Sequence, residues 1–154
     1  MTPMSELLGR ESALVKEFIG VLKAEQDALK QGNVAGLDGI AAKKSSLTSQ
    51  LNSLDQERCR LLRAAGLSND KKGIRGWLAR NPSDRGMVNE WAKLIRLASE
   101  ARDINNLNGQ LISIHMQATE QALSALTWQP QRSVLYGRDG HSASGPTKRI
   151  IDAA

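Results

Sequence analysis

The residues that could do chemistry are few in this sequence, and they do not converge. His115 and His141 fall on different predicted elements, and Cys59 is the only cysteine. Neither histidine has a cysteine or a pair of carboxylates at the spacing of zinc or iron ligands, and there is no phosphate-binding glycine loop, nucleophile elbow or acidic calcium loop. We therefore expect no metal, no cofactor and no enzymatic activity. A histidine between Ile114 and Met116 is typical of a core or boundary position.

The carboxylates alternate with lysine and arginine, as they do on solvated helix faces. This group comprises Glu6, Glu17, Asp55, Glu57, Glu90 and Glu100. We expect these side chains to face water and to take no part in general acid–base catalysis.

The basic residues are the second chemical feature, because they concentrate in one connector. Residues 67–86 hold five basic and two acidic side chains, a balance of +3 within a total of +5. Five cations surround Trp77 there: Lys71, Lys72, Arg75, Arg80 and Arg85. Such a cluster could contact phosphates while an exposed indole stacks on a base. A basic helical nucleic-acid-binding or regulatory module is thus an alternative, although no docking motif is present. The opposing interpretation is that Trp77 is buried and closes one end of a helical core.

Composition indicates the fold class that must position these residues. Apolar residues make up 40% of the 154 positions but aromatic residues only 3%, so leucine and alanine have to build the core. That composition favours helix-on-helix packing over a sheet sandwich. We predict an all-α fold: an antiparallel bundle of three long helices with a short connector helix and an extended C-terminal tail.

The longest predicted helix runs from Arg85 to Trp128 without a proline. Its apolar residues recur at alternating spacings of three and four, which indicates one helical face about 65 Å long. One row comprises Val88, Trp91, Ile95, Ala98, Ile112, Met116, Leu123 and Leu126, and a second comprises Leu94, Leu97, Ala101, Ile104, Leu111, Ala118 and Ala122. Two rows require two partner helices. Asn105 and Asn108 lie within this face, where asparagine commonly fixes register.

The rest of the chain supplies those two partners. A first helix is predicted from Pro3 to Gln31, and a second follows almost at once, so it must fold back antiparallel and end at Gly66. Charged residues interrupt both apolar rows, at Glu11 and Glu25 and at Lys44 and Arg58. A short helix around Trp77 should connect to the long one, with Asn81-Pro82 capping the start of the latter.

The last 26 residues differ in composition from the helices. We assign residues 1–128 to a helical bundle domain and residues 129–154 to a low-complexity, partner-binding tail. The tail contains three glycines, two prolines and three serines, interrupted by the apolar islands Val134-Leu135-Tyr136 and Ile150-Ile151.

Location follows from what the chain lacks. The first residues reach Glu6 without a basic region or an apolar core, so they do not resemble a signal peptide. No apolar run is long enough for a membrane span, and a lone cysteine suits a reducing compartment. We expect a cytoplasmic protein that does not insert into a membrane.

Several short segments of this sequence together resemble a known family. They are Ala24-Glu25-Gln26 to Leu29, Lys43 to Leu47, Asn105 to Ile112, Gln121 to Leu126, Leu135 to His141 and Lys148 to Ile151. With the Leu-Tyr-Gly-x-Asp-Gly element at 135–140 as its distinctive part, the sequence resembles the FlgN-type flagellar export chaperones over nearly the whole chain.

The resemblance implies a cytoplasmic chaperone of the flagellar type III secretion system. Members bind hook-associated proteins 1 and 3, which form the hook-filament junction, prevent their premature assembly and deliver them to the export gate. By the same resemblance, the Tyr136 region docks on the membrane protein of that gate, and the chain from the end of the last helix onward binds cargo.

The residues themselves suggest how a cargo would be held, since an amphipathic helix can cover the apolar stripe of a cargo's terminal helix. The expected partner-binding residues are Leu111, Ile112, His115, Thr119, Leu123 and Leu126 on the helix and Val134, Leu135, Tyr136, Gly137, Gly140, Ile150 and Ile151 in the tail. In the free protein the tail would occupy this surface as a placeholder. Two alternatives stay open: Tyr136 as a plain aromatic anchor, and the chain as a structural coiled-coil subunit, which measured mass would identify.

Overall fold

The computed structural model describes residues 3–127 of the chain, and all of its regular structure there is helical. Four α-helices follow one another: α1 (Pro3–Gln31), α2 (Leu37–Ala64), α3 (Lys71–Arg80) and α4 (Arg85–Thr127). A single 3-10 turn, Val34–Gly36, joins α1 to α2. The predicted all-α class is confirmed for this range, and the predicted tail lies outside it.

Helix α1 is the central element, because it packs against both α2 and α4. In the contacts between α1 and α2, the start of one helix meets the end of the other. Near the start of α1 Arg10 pairs with Glu57 at 3.9 Å, whereas near its end Glu25 pairs with Lys44 at 3.1 Å. Helix α2 therefore runs antiparallel to α1.

Helix α4 runs in the same direction as α1. Lys23 pairs with Glu100 at 3.8 Å, and further along both helices the carbonyl oxygen of Leu29 lies 2.6 Å from Nε2 of His115. Since α2 opposes α1, it returns the chain to the end at which α1 began, and α3 connects α2 to α4 there.

The buried centre of α4 follows residues seven apart, namely Met87, Leu94, Ala101 and Asn108, each at most 1% exposed. Leu94 and Ala101 belong to the second predicted apolar row, and Met87 and Asn108 lie in the same register. Of the first row, Ala98 is also buried, at 2% exposed. The placement of Val88 in the core is wrong, because its side chain is 47% exposed. One residue is a 100° step around a helix, so Val88 turns away from α1 where Met87 faces it.

The helix ends mostly match the sequence signals, with one correction. Gly32 and Gly66, at φ of 69° and 72°, end α1 and α2 in the left-handed conformation that glycine adopts without a steric cost. Asn81, however, does not cap the long helix. Its side-chain amide donates to the carbonyl of Trp77 at 3.0 Å and so closes α3, while α4 begins only at Arg85.

A polar layer crosses the three long helices near the middle of α4. The Nδ2 of Asn108 donates to the Leu22 carbonyl and to Oε1 of Glu25, both at 2.9 Å. The ammonium of Lys44 donates to both carboxylate oxygens of Glu25 at 3.1 Å and to Oδ1 of Asn105 at 3.2 Å. These bonds support the register role predicted for the two asparagines, since any axial slip would leave buried polar groups unpaired.

Helix α3 is fixed to the connector before it by a close backbone approach at Gly73. A Cβ atom at this position would lie 1.6 Å from the carbonyl oxygen of Ser68. We expect Gly73→Ala to lower the free energy of unfolding by about 1–3 kcal/mol, the usual cost of overpacking a tight site. Urea unfolding measures this value. The matched control is Gly39→Ala, in α2 with no atom within 4 Å, which should instead stabilise by up to about 1 kcal/mol. Equal effects of the two changes would contradict the close approach.

Candidate partner-binding site

Helix α4 extends well past the end of α1. The contact between His115 and Leu29 lies two residues before α1 ends at Gln31. Twelve residues of α4 follow His115, up to Thr127. At about 1.5 Å of rise per residue they continue for roughly 18 Å. We call residues 116–127 the α4 extension.

Burial along α4 falls as its partner helices end. Asn108 is 1% exposed, Leu111 and Ile112 are half-buried, and Leu123 and Leu126 are 49% and 83% exposed. Ile112, Leu123 and Leu126 continue the face that packs on α1 further back, as their spacing from Asn108 requires. The α4 extension thus carries apolar side chains in register with the core but exposed to solvent.

Two polar residues of the predicted surface form hydrogen bonds with backbone carbonyl groups. The Nε2 of His115 donates to the Leu29 carbonyl in the last turn of α1, which also accepts from the Gly32 amide at 3.3 Å. The Oγ1 of Thr119 donates to the His115 carbonyl at 2.9 Å. His115 is exposed, and its bond to α1 supports the predicted boundary position, so the apolar members of the set are the ones that offer a contact surface.

The structure adds two exposed apolar residues that the sequence patterns missed. Leu107 is 44% and Ile114 is 60% exposed. They lie seven residues apart on one face, beside the row that includes Asn108. Their spacing of seven is a signal that the sequence carries, but it lies outside the rows of the core face.

The tail half of the predicted site cannot be placed against α4. Val134, Leu135, Tyr136, Gly137, Gly140, Ile150 and Ile151 all lie outside the described residues. Their grouping with the α4 extension stays a prediction.

Elsewhere in residues 3–127, Trp77 is half-buried and packs against the core, which supports the interpretation of this residue as a core-closing side chain. Across that same range no three His, Cys, Asp or Glu side chains are grouped as metal ligands would be. None of its helices combines the length and the apolar character that crossing a membrane requires.

A buried ion cluster is a grouping of side chains that the sequence did not indicate. Arg58 is fully buried and donates to the carboxylates of Glu11 on α1 and of Asp55, the latter at 2.5 Å. Its Nε donates to Asn69 at 3.1 Å, and its guanidinium lies 5.8 Å from the Trp91 ring. The expectation that Asp55 faces water is wrong, because this carboxylate is 5% exposed and shares the cation of Arg58.

The charges in this ion cluster do not balance, since two carboxylates share one guanidinium. Burial raises the pKa of Glu11 from its ordinary 4.5 to about 7, although Arg58 acts in the opposite direction. Asp55 and Glu57 add to the rise by repulsion, and Oε1 of Glu11 has no hydrogen-bond partner. The cluster is far from the α4 extension along the chain and joins α1, α2, the connector and α4.

Over residues 3–127, these features define a class of protein: a helical protein whose longest helix, α4, carries an apolar face beyond the end of the helix α1 that packs against it. The family model described as "FlgN protein" matches residues 1–144, and the chain belongs to the FlgN family.

The relatives of this chain share one description. It is 29% identical over 145 residues to the flagella synthesis protein FlgN of Salmonella typhimurium, covering 93% of this chain and 92% of that protein. With the protein of the same name from Yersinia enterocolitica it shares 31% identity over 138 residues, 88% and 86% of the two chains. The Escherichia coli protein of this name is 26% identical over 149 residues, with 94% and 93% covered. The comparison with solved structures found no match for this chain.

Proposed function

We propose that this chain acts in flagellum synthesis as a cytoplasmic export chaperone. It binds hook-associated proteins 1 and 3, keeps them from assembling early and delivers them to the flagellar export gate. Membership in the FlgN family and the names of the relatives support the flagellar role. The observation that carries the binding role is the α4 extension, an apolar face in register with the core but exposed.

The proposed mechanism is the covering of one apolar stripe by another. Cargo segments that bury against neighbours in an assembled filament expose an apolar helix face while monomeric, and the α4 extension offers a complementary helix face. Here the three long helices act as one antiparallel bundle, which holds the base of α4 so that the extension is presented as a rigid helix.

The size of this surface sets the strength of binding. Fully burying an exposed leucine contributes about 1.5–3 kcal/mol, and Leu123 and Leu126 begin 49% and 83% exposed, so together they supply about 2–4 kcal/mol. Loss of translational and rotational freedom costs at least about 4 kcal/mol. These two leucines therefore do no more than offset that cost. In this proposal the other apolar residues of the surface and the tail supply the net affinity, which stays moderate and suits a chaperone that must release its cargo.

The tail completes the proposal. Residues 129–154 cover the α4 extension until cargo arrives, and the Tyr136 region then contacts the membrane protein of the export gate. The chain catalyses no reaction, binds no nucleic acid and does not insert into the membrane in this proposal. A pull-down of hook-associated proteins with and without residues 129–154 tests the role of the tail.

The central test is Leu126→Glu, which places a charge in the contact surface at a position already 83% exposed. We expect binding of hook-associated protein 1, measured by titration calorimetry, to weaken at least about tenfold, because the charge must be desolvated against an apolar partner. The matched control is Ala92→Glu, which adds the same charge to an exposed position of α4 near its start. Ala92→Glu should bind hook-associated protein 1 as the parent does, and the unfolding midpoints of both variants should be close to that of the parent.

Two results would contradict the proposal. One is full binding by Leu126→Glu, which would exclude the α4 extension as the cargo surface. The other is tighter binding of single-stranded DNA than of cargo, with the steep loss between about 50 mM and 200 mM salt that phosphate contacts produce. The second result would favour the nucleic-acid alternative.

A further inference from the structure

A cleft lies between α3 and the first turns of α4, at the opposite end of α4 from the extension. Its volume is about 250 Å³. Five residues with mainly apolar side chains line it: Ile74, Leu78, Met87, Val88 and Trp91. Ile74 and Met87 are buried at its base, Leu78 and Trp91 are half-buried, and Val88 is 47% exposed, so the cleft opens to solvent on the side of Val88.

Two exposed cations, Lys71 and Arg75, complete the lining of the α3–α4 cleft. Neither takes part in an ion pair with any other residue of the 3–127 range. They belong to the connector with the +3 balance, in which Arg80 instead donates to the Ala65 carbonyl. The cleft thus combines an apolar lining with positive charge that its own helices do not neutralise.

The cleft is built on a fixed helix. Gly73 and Gly76 let α3 lie directly on the connector, where added Cβ atoms would come within 1.6 Å of Ser68 and 2.7 Å of Leu67. Asp70 caps α3 by accepting from the amide of Gly73 at 2.8 Å. A ligand would therefore meet a largely preformed site, and little ordering of α3 would oppose binding.

We propose that the α3–α4 cleft is a second docking site, for an acidic peptide segment that carries one large apolar side chain. The apolar side chain fills the cleft, and carboxylates beside it pair with Lys71 and Arg75. A nucleobase fits less well, because Trp91 is the only residue of the apolar lining with a nitrogen or oxygen in its side chain. The base edge would then lose its hydrogen bonds to water without replacement.

This site is distinct from the cargo surface. Trp91 and Leu126 are 35 positions apart on one helix, which corresponds to roughly 50 Å. An acidic partner in the cleft and a cargo helix on the α4 extension can therefore be bound at the same time. The inference goes beyond the proposed function and does not depend on it.

The test uses the full chain and a short fluorescent synthetic peptide in which glutamates flank a single phenylalanine. We expect saturable binding by anisotropy that weakens at least about tenfold in Arg75→Glu. Lys72→Glu is the matched control: it makes the same charge change on the same exposed helix, outside the cleft lining. Lys72→Glu should change the affinity for the peptide by less than about twofold, because it alters only a charge at the rim of the site. Leu126→Glu should bind the peptide unchanged.

Several outcomes would overturn the proposal. A peptide with glutamine in place of glutamate, or alanine in place of phenylalanine, must bind at least about tenfold more weakly, and equal binding by either contradicts the assigned chemistry. Equal losses in Arg75→Glu and Lys72→Glu would show non-specific attraction to a basic surface. Tighter binding of single-stranded DNA with the same dependence on Arg75 would assign the cleft to nucleic acid. Loss of peptide binding in Leu126→Glu would place the peptide on the α4 extension.

Discussion

Replacing Arg58 with methionine is expected to lower the free energy of unfolding by about 3–5 kcal/mol. Arg58 is 0% exposed, and the change would leave the carboxylates of Glu11 and Asp55 buried without a cation. It also removes the hydrogen bond to Asn69 in the connector and the contact with the Trp91 ring. Urea unfolding followed by circular dichroism at neutral pH measures the loss.

Two further variants separate the buried charge from the loss of a long side chain. Arg10→Met removes an arginine whose ion pair with Glu57 spans 3.9 Å between side chains that are 63% and 43% exposed, so it should cost less than about 1 kcal/mol. Replacing Arg58, Glu11 and Asp55 together with apolar residues should recover most of the stability. If Arg58→Met and Arg10→Met lower the free energy of unfolding by the same amount, the ion cluster is not buried in solution.

The helices were predictable because their signals are local and repeated. Apolar spacing of three and four continues over dozens of residues, and Gly32 and Gly66 sit where the left-handed conformation ends α1 and α2. Asn81 was assigned to the wrong helix because an asparagine between two helices satisfies the cap preferences of both. Only the bond from its side chain to Trp77 shows which end it closes.

The partners of the buried charges could not be predicted in the same way. Spacing placed Glu11, Glu25, Lys44 and Arg58 on the packed faces, but it did not say which charges would meet. The contact between Arg58 and Glu11 spans 47 positions and depends on how far α2 is displaced along α1. Asp55 appeared solvated because charge alternation along a sequence does not distinguish the two sides of a helix.

Only part of the candidate site could be predicted from the sequence, for a related reason. The pattern identified Leu123 and Leu126 as apolar positions of the core face, yet their exposure depends on where α1 ends relative to α4. That offset is set by tertiary contacts, such as the bond from His115 to Leu29. Ile114 and Leu107 share a spacing of seven outside the seam, but that spacing does not show that their side chains are exposed.

Stability should fall as pH rises from about 5 to about 8, through one identifiable carboxyl group. The pKa of Glu11 is raised from 4.5 to about 7 by burial, against the lowering effect of Arg58. Between these values the folded protein keeps a proton on Glu11 that the unfolded chain has lost. The slope of the unfolding free energy with pH is then negative for this group. Its contribution is complete below pH 4.5 and is lost as pH rises through about 7, a change of about 3 kcal/mol.

Glu11→Gln isolates this contribution, because the amide keeps the shape of the side chain and an acceptor for Arg58 but cannot ionise. The unfolding free energies of the variant and the parent should be similar near pH 5. By pH 8 the variant should be more stable by about 3 kcal/mol, as measured by urea unfolding at each pH. Glu17→Gln, at an exposed carboxylate of the same helix that takes no part in the cluster, should leave the pH dependence of the parent unchanged. A variant that loses stability relative to the parent as pH rises would mean that Arg58, and not burial, controls the Glu11 carboxyl. We do not expect that outcome, because Arg58 is one cation beside two carboxylates and cannot neutralise both at once.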